Sequence, residues 1–153
     1  MNADQMRART KAFALDVVCL CAGLPSVVEL SHIRGQLQRC AASVAANYRA
    51  ACRGRSKAEF IAKLGIVEEE ADESSFWLEF IQDLNGRQHF NLSERDSLEL
   101  DRLRDEATQL LAITIASRKT ARPLPMAHRS LLIAHRTPHL KRSVKDPACT
   151  ELP

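Results

Sequence analysis

The sequence predicts an all-α protein: an antiparallel, up-down-up-down four-helix bundle followed by a basic, mostly irregular C-terminal tail. Three observations lead to this fold class. Four segments repeat apolar residues at helical spacing, capping or helix-breaking residues separate them by short connections, and the 153 residues include only five Gly and six Pro. Short connections favour antiparallel neighbours. A chain of this length can bury one sizeable core without disulfides.

The first helix is predicted over about residues 3–24. Phe13, Val17 and Leu20 recur three and four positions apart, so they form one apolar stripe. Pro25 ends this helix, because a proline disfavours helical conformation in the residue before it.

The second helix is predicted to begin at Ser26, where Glu29 completes a capping box. Its apolar stripe includes Leu37 and Val44, and the many alanines beside that stripe allow close approach of a neighbouring helix. Gly54 is the expected left-handed residue after the last turn.

The third helix is predicted from the Ser56 cap to the Asn85-Gly86 pair. Its apolar surface widens where Phe76, Trp77 and Phe80 follow one another. That width predicts burial on two sides, either within the bundle or against another subunit.

The fourth helix is predicted to begin at the Ser93 cap and to end between residues 118 and 121. The sequence therefore divides into a four-helix bundle over residues 1–121 and a tail over residues 122–153. This tail contains prolines, three histidines and an excess of basic residues, so we expect it to be flexible.

Charge is distributed unevenly along the chain, although the formal net charge is only +3. Residues 1–55 carry +5, residues 56–119 carry −6 and residues 120–153 carry +4. Such asymmetry suits a local polyanion-binding face or charge-complementary self-assembly.

Motifs for phosphate loops, nucleophile elbows and paired zinc ligands are absent from the sequence. Glu29 and His32 form one E-x-x-H pair, whereas a di-iron bundle needs two such pairs. Five cysteines without a signal peptide argue against a disulfide framework, and we interpret them as small buried apolar residues. We therefore expect a cytoplasmic protein that is not an enzyme, with no catalytic residue, cofactor, metal or membrane span.

Five arginines around the second helix are the candidate nucleic-acid-binding residues. Planar guanidinium groups suit phosphate geometry, and these residues lie on or beside an alanine-rich helix: Arg34, Arg39, Arg49, Arg53 and Arg55. An equally good interpretation pairs them with the acidic run Glu68–Glu73 of the third helix, because consecutive helical carboxylates fan out around the helix and cannot converge on one ion. Both interpretations remain open from the sequence.

A second set of residues is predicted to form an oligomer interface. Ser43 and Asn47 lie four apart on one helical face, where hydrogen bonding across an interface is more plausible than nucleophilic chemistry. The full set consists of Ser43, Asn47, Tyr48, Glu69 and Glu73.

The segment Arg39–Asn47 resembles the R-x-A-x-S-(I/V)-x-x-N signature of the bacterial four-helix bundle family of 23S rRNA intervening sequence proteins. A second block that begins at Ser56-x-x-Glu59-Phe60-Ile61 follows in the order typical of that family. The resemblance covers about residues 8–119. One departure is that Tyr48-Arg49-Ala50-Ala51 stands where the family usually has I-A-E-G, so a role of that glutamate does not transfer to Ala50.

The resemblance implies a small antiparallel bundle that assembles as a homopentamer. The related accessory variability proteins of diversity-generating retroelements bind nucleic acid and a reverse transcriptase through a basic face. The leading hypothesis is a homo-oligomer that binds RNA or DNA electrostatically, as a possible accessory factor to a reverse transcriptase. The alternative is a structural or adaptor protein whose charged helices serve subunit and protein-partner contacts without nucleic-acid binding.

Overall fold

A computed structural model describes residues 1–122, which form four α-helices and no strand. The helices are α1 (Ala3–Gly23), α2 (Val28–Ala51), α3 (Lys57–Gly86) and α4 (Glu94–Ala121). The predicted all-α bundle is confirmed. Apart from Arg122, the predicted tail over residues 122–153 lies outside the described residues.

Side-chain caps begin three of the four helices, as the sequence predicts for two of them. The Ser56 and Ser93 hydroxyls accept hydrogen bonds from backbone N–H groups three residues later, and Asn2 forms a reciprocal capping box with Gln5. The predicted Ser26 cap of α2 is wrong. Helix α2 begins after Val27, whose N–H donates to the Pro25 carbonyl at 2.9 Å and so closes a turn that keeps Ser26 outside the helix.

The predicted left-handed Gly54 is also wrong, since no glycine within residues 1–122 has a positive φ. Past the end of α2, the N–H groups of Cys52, Arg53 and Gly54 donate to carbonyls of the last helical turn. These right-handed turns satisfy the end of the helix without a left-handed residue. In the described part of the chain, the non-glycine residue with positive φ is Gln88, at 61°, two residues after the end of α3.

The four helices pack in a ring, with contacts between α1 and α2, α2 and α3, α3 and α4, and α4 and α1. Their apolar stripes meet in one interior. Its largest fully buried side chains are Phe13, Val17, Leu30, Leu37, Val44, Leu64, Val67, Leu78, Ile81, Leu100, Leu103 and Leu110. Three buried hydroxyls, those of Thr10, Ser74 and Thr114, donate to carbonyls one turn earlier in their own helices, so they enter this interior satisfied.

Ion pairs show the direction of neighbouring helices. Between α1 and α4, Arg9 pairs with Glu106 at 2.6 Å and Asp16 pairs with Arg102 at 2.7 Å. Residue numbers therefore rise along α1 in the direction in which they fall along α4, which is the order expected of antiparallel helices. Between α2 and α3, the contacts of Arg39 with Glu73 and of Asn47 with Lys63 follow the same rule.

Each helix of the described region is too short or too polar to cross a membrane.

Core packing can be tested on α4 with one substitution at two nearby positions. Leu100→Ala removes a fully buried side chain, so we expect a loss of about 2–5 kcal/mol of unfolding free energy in urea titration. Leu98→Ala is the control, because the Leu98 side chain is 65% exposed; its change should stay within about 0.5 kcal/mol. Equal losses at both positions would contradict the packing described above.

Candidate nucleic-acid interface

The fold places most of the basic residues at one end of the bundle and most of the acidic residues at the other end. We divide residues 1–122 at the midpoint of each helix, which gives a basic half (residues 1–12, 40–71 and 108–122) and an acidic half (residues 13–39 and 72–107). The basic half holds eleven Lys and Arg against five Asp and Glu, a formal charge of +6. The acidic half holds six against twelve, a formal charge of −6. Residues 1–122 are therefore neutral overall but strongly polarised.

An open groove of about 850 Å³ lies between α1 and α2, and we call it the α1/α2 groove. Its floor is apolar: Leu15 is 55% exposed and Val18 is 46% exposed, opposite small alanines of α2. Its basic rim consists of Arg7, Lys11, Arg49 and Arg53. The groove thus combines apolar surface with cations along one side of the bundle.

The three C-terminal members of the predicted arginine set lie in the basic half. Arg49 and Arg53 are exposed on the groove rim, and neither forms an ion pair within residues 1–122. Arg55 is 92% exposed and approaches Glu59 only to 3.8 Å. These guanidinium groups are available to an external anion.

The other two predicted arginines lie in the acidic half and are engaged within the chain. Arg34 donates to the backbone carbonyls of Leu24 and Pro25, so it ties α2 to the end of α1. Arg39 pairs with Glu70 at 3.3 Å and with Glu73 at 2.7 Å. The structure therefore brings together three of the five arginines and separates two from them.

Most of the predicted interface residues make contacts inside the chain. The Asn47 amide donates to the backbone and hydroxyl oxygens of Ser43, each at 3.0 Å. Tyr48 packs against the interior, and burial raises the pKa of its phenol to about 12. Glu73 pairs with Arg39, whereas Glu69 is exposed and has no ion pair within residues 1–122. Glu69 is thus the member of the set most open to another molecule.

Glu68 lies in a different environment from the other carboxylates of the acidic run of α3. Glu68 is buried and pairs with Arg118 of α4 at 2.5 Å, while its Oε1 atom has no hydrogen-bond partner. Gly65 makes room for this pair, since a Cβ there would lie 3.1 Å from the Arg118 Nη1 atom. Glu68 therefore pairs with a cation of α4 and not with one of the five arginines around α2.

Cys40, Glu70 and Glu73 place three potential metal ligands within 4.8 Å of one another. Burial, with the neighbouring Glu73 carboxylate next in effect, raises the pKa of the Cys40 thiol to about 12. A thiol that binds a metal must lose its proton. Arg39 already pairs with both carboxylates, so the cluster is engaged as an internal charge network.

The cysteines occupy different environments. Cys21 and Cys40 are buried, as the sequence interpretation requires, and Cys52 is partly buried. Cys19 is exposed, so the expectation of burial is wrong there. Two positions along a helix turn a side chain away from the core, and Cys19 and Cys21 consequently face opposite environments.

Helix α1 also contributes to the basic surface, which was not predicted from the sequence. Arg7, Lys11, Leu15 and Val18 recur at spacings of four, four and three, so they share one helical face. This outward-facing stripe could have indicated a basic surface on α1. The inward-facing stripe of Phe13 and Val17 was sufficient to predict the helix, so the outward stripe was not considered.

The Arg39 network makes a pH-dependent prediction. The hydrogen bonds from Arg39 lower the pKa of Glu73 below its ordinary value of 4.5. The pair therefore contributes stability above that value and loses it as pH falls through the lower folded-state pKa. Arg39→Ala should raise the Glu73 pKa in an NMR titration and weaken the acid dependence of stability below about pH 4.5. Arg102→Ala is the control, since Arg102 pairs elsewhere and should leave Glu73 unchanged.

Comparisons with known proteins agree with this architecture. The family described as "23S rRNA-intervening sequence protein" matches residues 4–112. A crystal structure of a protein of unknown function from Bacteroides thetaiotaomicron, assigned to the S23 ribosomal protein family, superposes with a TM-score of 0.63 at 27% identity. That match covers 78% of this chain and 99% of the other. No curated protein matches the sequence. The family match spans most of the bundle and the solved relative shares its fold, so this chain belongs to the 23S rRNA-intervening sequence protein family.

Proposed function

We propose that this protein is a non-enzymatic helical bundle that binds RNA or DNA electrostatically through its basic half. The observation that carries the proposal is that cations from two helices and one connection lie at one end of the bundle. Arg53 and Arg55 follow α2, Lys57 begins α3 and Lys119 ends α4. All four side chains belong to exposed residues, so phosphates can approach them without displacing the core.

The chemistry of these cations supports phosphate contacts more than base recognition. Arginine forks and lysine ammonium groups bind phosphate oxygens, and such contacts carry no sequence information. The rings of Phe76 and Phe80 lie in the acidic half, away from the basic end. We therefore expect salt-sensitive binding with weak sequence selectivity.

We further propose that the bundle acts as a homo-oligomer, with a pentamer as the state that the resemblance implies. Repeating a modest basic surface on several subunits raises avidity without new contacts. A reverse transcriptase remains a proposed protein partner on the strength of the resemblance alone.

An adaptor that binds proteins and no nucleic acid is the second candidate. The α1/α2 groove favours it, because exposed Leu15 and Val18 form an apolar floor that phosphates would leave uncovered. The basic end and the groove share Arg53 but otherwise consist of different residues, so mutations away from Arg53 can separate the two candidates.

The nucleic-acid hypothesis predicts a location-dependent loss of binding. Arg55→Glu/Lys119→Glu reverses two exposed charges at the basic end, and we expect at least about a tenfold weaker affinity for a short fluorescent RNA or duplex DNA at low salt. The slope of log Kd against log salt should fall by about one unit for each phosphate that the variant no longer binds. Fluorescence anisotropy measures both quantities.

Arg87→Glu/Arg95→Glu is the matched control. It changes the net charge by the same amount but on exposed residues of the acidic half. Affinity should change less than about twofold, because the substituted groups lie more than a Debye length from the basic end. Absence of binding by the wild type, or equal losses in the two variants, would favour the adaptor.

A further inference from the structure

The outward side of α3 carries a second amphipathic surface, which we call the α3 outer face: Glu69, Asp72, Phe76, Glu79, Phe80 and Asp83. At 100° per residue these positions fall within about 60° of Phe76 around the helix. Phe76 is 51% exposed and Phe80 is 38% exposed. Two large rings exposed side by side on a folded bundle indicate a contact surface.

The carboxylates of the α3 outer face are unpaired. Glu69, Asp72, Glu79 and Asp83 form no ion pair with any residue from 1 to 122, whereas Glu68, Glu70 and Glu73 of the same helix all do. The α3 outer face is therefore an apolar centre between free anions. The α1/α2 groove is its chemical opposite, since its apolar floor adjoins the free cations Lys11, Arg49 and Arg53.

The spacing along the helices matches as well as the charge. On α3, Asp72 and Glu69 lie about 9 Å and 13 Å before the midpoint between Phe76 and Phe80, at a rise of 1.5 Å per residue. On α1, Lys11 and Arg7 lie about 8 Å and 14 Å before the midpoint between Leu15 and Val18.

The α2 side of the groove has the same spacing. Arg49 lies about 8 Å beyond the midpoint between Ala42 and Ala46, in the direction that antiparallel packing requires. Arg53 follows in the turn after α2, farther in the same direction. Two levels of cations on α1 and α2 therefore match two levels of anions on α3. The alanines of α2 leave room for aromatic rings at the apolar level.

From this correspondence we infer that the α3 outer face of one copy docks in the α1/α2 groove of a second copy, with the incoming α3 parallel to α1. Phe76 and Phe80 cover Leu15 and Val18. Asp72 meets the cations Lys11 and Arg49. Glu69 meets Arg53 and Arg7, and Arg7 also pairs with Asp4 of its own chain.

The contact joins two different surfaces, so it is heterologous and repeats from copy to copy until a ring closes. Docking between copies rests on the homo-oligomer proposed above and goes beyond it by naming the two surfaces in contact. It assigns the groove to a second copy of the chain, while Arg55 and Lys119 remain free for phosphates. Loss of one activity therefore need not remove the other.

A charge exchange tests the pairing. Lys11→Glu/Arg49→Glu reverses the groove, and Glu69→Arg/Asp72→Arg reverses the α3 outer face. Each pair places like charges at the contact, and we expect at least about tenfold weaker self-association by sedimentation equilibrium. A chain with all four substitutions restores opposite charges and should recover most of the wild-type association.

Recovery distinguishes docking between copies from unrelated damage, because only paired surfaces can compensate each other. Phe76→Ser/Phe80→Ser should also weaken association, whereas Leu98→Ser on α4, at a comparably exposed site, should not. Circular dichroism checks that every variant is folded.

A monomeric wild type, or failure of the four-substitution chain to recover, would overturn the inference. So would unchanged association of the groove variant together with loss of RNA binding, which would give the groove to nucleic acid. The Arg55→Glu/Lys119→Glu chain should associate normally, so a failure of nucleic-acid binding can be told apart from a failure of docking.

Discussion

Close packing of four amphipathic helices around one leucine-rich interior is the constraint on which the other features depend. The stripes can meet only if the helices pack side by side, and the short connections then place the end of each helix beside the start of the next. That arrangement brings residues far apart in sequence to the same end. Arg9 and Glu106 meet across α1 and α4 in this way. The separation of charge between the two ends is a consequence of packing.

Helix α3 shows how packing assigns different roles to similar residues. Six positions from Glu68 to Glu73 include five carboxylates, and a helix spreads them around its circumference. Glu68 enters the bundle and meets Arg118, while Glu70 and Glu73 face Arg39 of α2. Glu69 and Asp72 alone turn outward without an internal cation. Burial and ion pairing thus engage three of the five carboxylates inside the chain and leave two available to another molecule.

The same principle separates the arginines of α2. Arg34 and Arg39 lie near elements that offer carbonyl and carboxylate acceptors, so they stabilise the bundle. Arg49 and Arg53 lie where α1 presents alanine, leucine and further cations, so they remain free. A guanidinium group that already holds a carboxylate has less to offer a phosphate. The family assignment is consistent with this fold. Within the bundle, the distribution of free cations distinguishes one surface from another.

The amino-acid sequence by itself determined the helices, most of their boundaries and the apolar stripes that form the core, because periodicity and capping are local properties. Phe13, Val17, Leu37 and Val44 could all be assigned to the interior on that basis. It also supplied the family signature on α2.

Only the tertiary structure decided which charged groups are free, since that depends on what faces each side chain from another helix. The true start of the second helix and the position of Glu68 could not be predicted from the sequence. Each depends on a neighbour distant in sequence or on a turn closed by the backbone. Ordering along the chain gave a basic, an acidic and a second basic segment, but packing converted these segments into two oppositely charged ends.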